Sequence, residues 1–303
     1  MIKSFEAVKE KVLSGFEKRT IAVAAAEDED VLEAVKMAKM IKLADSILVG
    51  DKEKIIQIAE KIQLDLTDIE VIHEKDPFQA ARTAVSEVRK GHADMLMKGF
   101  LSTSTFLRAV LEKDNGLRNG NLLSYLGIFE VPHFPRLLIL TDCGMNIAPG
   151  LAEKIKIIEN ALQVTRALDI EQANVAVIGA VETVSLDMPV TLEAAALAKM
   201  SDRDQFKGAV IDGPLALDNA VSEEAARHKG IKSPIAGKAD ILLLPNIETG
   251  NALYKALCYL AYAQNAGIVL GATVPIVVTS RADSAQSKLN SIAMGLLISH
   301  KAK

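Results

Sequence analysis

A lysine, a glycine and a run of hydroxyls are the first residues in this chain whose types could do chemistry together. Residues 98–108 read KGFLSTSTFLR, placing Lys98 and Gly99 just before Ser102, Thr103, Ser104 and Thr105. A hydroxyl at a helix start is ordinarily an N-cap, and one of these four fills that role. One cap does not need four hydroxyls. A cation, a glycine that admits close backbone approach and a hydroxyl-rich helix start also make an oxyanion or phosphate cradle, so both readings stand. A second group, TSRADS at 279–284, ends an apolar run. There Ser280 and Arg281 close the strand, and Asp283 or Ser284 can cap the next helix. Arg281 is either a surface residue or a planar fork for a phosphate or carboxylate.

Three further groups have sufficient structural explanations. In TDCGMN at 141–146, Asp142 and Gly144 shape a turn, and Asn146 can cap a helix or meet a ligand. In PNIETG at 245–250, Asn246 is a natural N-cap and Glu248 a natural first-turn acid. Asp212-Gly213-Pro214 reads first as a turn. No G-x-G-x-x-G or G-x-x-x-x-G-K-[ST] follows any strand, and there is no G-x-S-x-G elbow. His73, His92, His133, His228 and His300 have no metal-ligand spacing to one another or to cysteine. Cys143 and Cys258 sit in apolar surroundings and read as small core residues. What remains is a set of cations, hydroxyls and amides, suited to positioning anions and stabilising developing charge.

These groups need a scaffold that ends strands beside helix starts. Short apolar runs at 21–25, 46–49, 70–72, 95–97, 137–140, 174–178, 208–211, 241–244 and 276–278 alternate with segments of helical periodicity, such as Val31, Ala34, Val35, Ala38 and Ile41. That predicts an α/β protein with parallel sheet covered on both faces. An eight-fold barrel is the alternative. Against it, the strand at 122–130 reaches the next one without a helix, because Pro132 and Pro135 intervene, and 268–278 holds two strand-like pieces split by Gly271 and Pro275. Such junctions suit passage between two sheets. The expectation is a discontinuous first domain, residues 1–133 with 272–303, and a second domain, 134–271, with the last helix packing back on the first.

Of 303 residues, 50% are hydrophobic and 24% charged, and the formal net charge is −4, a globular balance without the basic footprint of a nucleic-acid or membrane-surface binder. With aromatics at 4% and no Trp, single-strand stacking platforms are missing too. The amphipathic N-terminus is not a signal peptide, no apolar run suffices to span a bilayer, and two cysteines make no disulfide framework. A cytoplasmic location is expected.

Taken in order, six segments resemble the phosphate acyltransferase family, the phosphate acetyl- and butyryltransferases. They are ADMLMKG with its hydroxyl run, GLRNGNLLS at 116–124 leading to IFEVP at 128–132, TDCGMN, IDGPLALDNA at 211–220, ADILLLPNIETGN at 239–251, and TSRADS. The resemblance implies two αβα-sandwich domains of the isocitrate/isopropylmalate dehydrogenase-like fold with a cleft between them. It implies reversible transfer of a short acyl group, butyryl favoured over acetyl, between coenzyme A and inorganic phosphate, by direct attack in a ternary complex. No metal, cofactor, nucleic acid or membrane partner is implied, and a homo-oligomer is. Carried over to this chain, Ser280 and Arg281 match the family's Ser-Arg pair, with Asp283 offered as general base. Lys98, Gly99, Ser102, Thr103, Arg118, Asn146, Asn246 and Glu248 are offered as substrate contacts. One departure concerns the base: the acetyltransferase branch has an Asp seven residues after the Ser, where this chain has Ser287. Competing readings are a metal- and NAD(P)-dependent dehydrogenase on the same fold and a non-catalytic two-lobed solute receptor.

Overall fold

The computed structural model describes residues 1–15, 19–280 and 283–301, and the chain folds into two compact units. The terminal unit comprises Phe5–Asn121 and the chain from Ala266 onward. The central unit comprises Leu122–Asn265 with Met1–Ser4. Both are mixed α/β.

In the terminal unit, β1 (Arg19–Ala24), β2 (Ala44–Gly50), β3 (Glu70–His73), β4 (Met95–Lys98), β10 (Gln264–Leu270) and β11 (Ile276–Val277) run in the order β3-β2-β1-β4-β11-β10. All neighbours are parallel except β10, which is antiparallel to β11. The near-continuous burial of β1 and β4 is that of strands covered on both faces. Helices α1 (Phe5–Gly15), α2 (Glu29–Met40), α3 (Lys52–Ile62), α4 (Pro77–Arg89) and α5 (Thr103–Val110) fill the connections. The Asp28 carboxylate caps α2 by accepting from the Val31 N–H at 3.0 Å, and α2 buries Val31, Leu32, Ala34, Val35 and Ala38. At the other end of the chain, α11 (Ala285–Lys301) buries Leu289, Ile292, Ala293, Met294, Leu296 and Leu297 against α1, α2 and β11. A helix buried around most of its circumference belongs inside a domain, and this one packs within the terminal unit.

The central unit places β5 (Ser124–Glu130), β6 (Leu138–Thr141), β7 (Ala173–Ile178), β8 (Ala209–Leu215) and β9 (Ile241–Leu243) in the order β5-β6-β9-β7-β8, with only β5 antiparallel to its neighbour. Its helices include α6 (Leu151–Ala167), α7 (Pro189–Ser201), the short α8 (Leu217–Val221) and α9 (Glu223–His228), and α10 (Ile247–Tyr259).

Two expectations are corrected. The chain passes between its units at 121/122 and 265/266 rather than near 133 and 272. Both helix-free strand junctions exist, but each is an antiparallel pair, β5 with β6 and β10 with β11, whose hydrogen bonds hold both members in one unit. The first crossing precedes β5, and the second falls two residues into β10. Asp212-Gly213-Pro214 lies inside β8 rather than forming a turn, and the register against β7 shifts there to absorb it. Among the described residues, no helix is long and apolar enough to cross a membrane.

Gly99 fixes how closely β4 approaches β1. Its N–H donates to Ala24 O at 2.8 Å, and a Cβ there would lie 2.1 Å from Ala25 O. The atoms it would meet are backbone atoms of Ala24 and Ala25, which cannot yield as a flexible side chain would. Gly99→Ala should destabilise the protein by about 1–3 kcal/mol in urea unfolding, the usual size of an overpacking penalty. Gly15→Ala, where a Cβ meets nothing within 4 Å, should leave the midpoint unchanged or raise it slightly.

Candidate active site

In the terminal unit the chain runs outward from β1 through β2 to β3, then returns to the opposite side of β1 as β4. That reversal is a topological switch point, where open α/β sheets leave a crevice beyond the C-terminal strand ends. Three adjacent parallel strands, β1, β4 and β11, end at this rim. Each leads toward a helix start: Asp28 caps α2, Ser102 caps α5, and Ser284 accepts from the Ser287 N–H at 3.2 Å in the first turn of α11. The positive ends of three helix dipoles thus belong to the elements that follow these strands.

A cavity of about 10 Å³, the space for a single water, is lined there by Asp28, Val31, Lys98, Gly99, Phe100, Thr279, Ser280 and Lys288. Two ammonium groups and one carboxylate are among its lining side chains. Lys98 is 4% exposed, and its Nζ donates to Gly99 O at 3.1 Å and Leu101 O at 3.2 Å. Lys288 is 3% exposed, and its Nζ donates to Asp283 O. Each ammonium so removed from water is costly unless fully compensated, and a small anion at this rim would supply compensation.

The sequence-derived candidates separate into groups. Lys98, Gly99 and Ser280 come together at the cavity. Asp283 lies beside them, its Oδ2 accepting the Ser280 N–H at 2.7 Å, while the Asp283 N–H donates to Ser280 O at 3.1 Å. Arg281 lies outside the described residues. Ser102 serves as the α5 cap: its Oγ accepts from the Thr105 N–H at 3.0 Å and lies 2.8 Å from Thr105 Oγ1 and 2.9 Å from Ser104 Oγ. The hydroxyl run therefore has an internal capping role, and Thr103 follows as an exposed first residue of the helix. Arg118 is exposed, and its backbone forms an isolated antiparallel bridge with Ala272.

Asn146, Asn246 and Glu248 belong to the central unit. Asn146 Nδ2 donates to Leu123 O at 2.9 Å and to Asp142 Oδ2 at 2.6 Å. The Asp142 carboxylate also accepts the N–H groups of Tyr125, Gly144, Met145 and Asn146. Burial pushes this carboxyl above its ordinary range, while those donors pull it back. Asn246 caps α10 by accepting from the Thr249 N–H at 2.9 Å, and Glu248 is an exposed first-turn acid. The core reading suits Cys143, whose thiol is pushed well up by burial, but Cys258 is only half-buried on α10. No group of three or more His, Cys, Asp or Glu among the described residues could hold a metal ion.

Sequence reading missed Asp28 and Lys288. Asp28 follows an apolar strand and precedes an amphipathic helix, so reading past the end of β1 would have found it. Lys288 carries a fainter signal. A cation in the opening turns of a helix, with no acid in the first turn, opposes the helix dipole.

A family model described as "Phosphate acetyl/butaryl transferase" matches residues 4–80 and 77–296. The chain is 53% identical over 298 residues to the phosphate butyryltransferase of Clostridium acetobutylicum, covering 98% of this chain and 99% of that protein. It is 47% identical over 276 residues to the phosphate acetyltransferase of Thermotoga maritima, covering 91% and 94% respectively. Among solved structures, a branched-chain phosphotransacylase from Enterococcus faecalis V583 matches with a TM-score of 0.83 and 34% identity, over 93% of this chain and 99% of that one.

If the lysine pair forms an anion seat, orthophosphate should raise the melting temperature of the unmodified protein, by about 2.7 kcal/mol of added stability at a hundredfold excess over Kd. Lys288→Met should fold and lose most of that increment. An increment that survives in the variant would remove Lys288 from the site.

Proposed function

Because the chain belongs to the phosphate acetyl/butyryl transferase family, we propose that it moves a short acyl group, butyryl in preference to acetyl, reversibly between coenzyme A and inorganic phosphate. The same reading includes a cytoplasmic location, a homo-oligomer, no resident metal or cofactor, and the isocitrate/isopropylmalate dehydrogenase-like αβα fold for its units. The relative with 53% identity over nearly the whole chain supports butyryl over acetyl.

In the forward direction a phosphate oxygen attacks the thioester carbonyl carbon, forming a C–O bond and a tetrahedral oxyanion. Collapse breaks the C–S bond, and the sulfur leaves with the electron pair. Hydrogen phosphate gives up its proton, and the thiolate takes it up to become free coenzyme A. The protein's task is to hold a dianionic nucleophile against the thioester and to neutralise the charge that develops.

The observation that carries the phosphate half of this reading is the buried pair Lys98 and Lys288 beside Ser280 at the β1/β4 switch point. In it, Lys98 and Lys288 attract the nucleophile, Gly99 lets the β4 turn lie close, and Ser280 donates its hydroxyl to the phosphate or the oxyanion. Arg281 adds a bidentate fork for phosphate. Asp283 is assigned to positioning, since its carboxylate is engaged with the Ser280 amide. A thiolate leaving group with pKa about 8.5, by analogy with cysteine, needs little help from a general base. Ser102, Thr103 and Arg118 remain candidates for the phosphate side, and Asn146, Asn246 and Glu248 for the coenzyme side.

Purified protein with butyryl-CoA should release free thiol only when phosphate or arsenate is present, read with a chromogenic disulfide. Phosphate-independent release would mean a thioesterase. Arg281→Ala should lower turnover by orders of magnitude with little change in melting temperature, and Arg281→Lys should restore only part of it. Early melting of the Ala variant would make Arg281 structural. Asp283→Asn should lower kcat without moving the pH profile, whereas loss of an acidic limb would reinstate it as the base.

A further inference from the structure

The central unit has a switch point of its own. Its chain passes from β7 to β8 on one side, then returns as β9 on the other side of β7. Beyond the C-terminal ends of β7 and β9 lies a cavity of about 600 Å³, within the ~300–1,000 Å³ typical of small-molecule sites. It is far larger than the water-sized space of the terminal unit. Its walls are largely apolar, built from Pro149, Ile178, Met188, Pro189 and Pro245.

The charge on its walls decides what it suits. Lys154, 2% exposed on α6, is ion-paired to Glu193 on α7, and Asp187 also lines the space. One cation is set against two carboxylates, so a phosphate dianion is disfavoured. A flat, neutral heteroaromatic ring with its own donors and acceptors fits instead, packing on prolines while Lys154, Glu193, Asn246 and Thr249 supply polar partners. Gly150, the residue before α6, contributes open space. Its φ is −79°, and a Cβ there would meet nothing within 4 Å.

We propose that this cavity receives the adenine ring of the coenzyme A substrate. The inference rests on the acyl-CoA reading above and adds to it the part of the protein that recognises the nucleotide end. Phosphate and adenine are then sorted by two switch points of opposite character.

The test uses the full chain and two thioesters, butyryl-CoA and butyryl-pantetheine, which shares the reacting thioester but lacks the nucleotide. Gly150→Leu projects a side chain into the cavity with a backbone that needs no strained φ. Its kcat/KM for butyryl-CoA, taken relative to butyryl-pantetheine, should fall about tenfold or more. An unaltered ratio would overturn the proposal. Val190→Phe, at another lining position, gives the same readout if the leucine variant does not fold. Should the unmodified protein turn over neither thioester, the acyl-transfer reading fails by itself. Calorimetric binding of adenosine 3′,5′-bisphosphate then still judges the cavity: binding that Gly150→Leu weakens about tenfold supports it, and no binding to the unmodified protein refutes it.

Discussion

The close approach of β4 to β1 at their C-terminal ends is the constraint on which the candidate active site depends. The Gly99 and Phe100 N–H groups donate to Ala24 O and Ala25 O, at 2.8 and 2.6 Å, continuing the ladder past the last strand residues. A side chain at 99 would crowd the strand, because a Cβ there would lie 2.1 Å from Ala25 O. Held that near, the turn after β4 offers Gly99 O and Leu101 O to the Lys98 ammonium. A wider gap would expose that ammonium to more water. The glycine therefore acts through the lysine beside it.

Burying the lysines creates an electrostatic demand. Removing an ammonium from water costs several kcal/mol even after relaxation, and here the carbonyl oxygens of Gly99 and Leu101 accept from Lys98 and that of Asp283 accepts from Lys288. The helices that follow β1, β4 and β11 add positive dipole ends to the same elements. Lys288 in the opening turns of α11 breaks a local rule of helix charge, and such breaches concentrate where function overrides stability. On the proposed acyl-transfer reading, an anion held by both lysines would bind to a site preorganised before it arrives.

Much of this was legible in the sequence because it depends on local pattern. Apolar runs identified the strands, and reading the residues after each one led to Lys98, Gly99 and Ser280. What stayed hidden depends on tertiary placement. Lys288 looks like any solvated helix lysine until α11 is packed against α1, α2 and β11. The four hydroxyls at 102–105 admitted both a cap and a cradle, and packing shows Ser102, Ser104 and Thr105 hydrogen-bonded among themselves at the α5 start. The unit boundaries were displaced because composition shows where a helix is missing but not which strands exchange hydrogen bonds. Segment 141–146 read as turn chemistry, but only the fold shows Asp142 gathering the surrounding N–H groups.

Both units use one topological device, a strand order that reverses beside a central parallel strand, but their walls differ in kind. The terminal unit closes its switch point around ammonium groups until about one water fits. The central unit leaves its own open and apolar, with its buried lysine already neutralised by Glu193. Two buried cations around one carboxylate select for negative charge, whereas a cation matched by its own carboxylate leaves shape and apolar contact to select. A substrate that combines a neutral ring with anionic groups would be ambiguous to a protein whose sites were both cationic. Neutralising the central lysine while keeping the terminal pair in excess removes that ambiguity, and it requires only that Glu193 sit one helix away from Lys154.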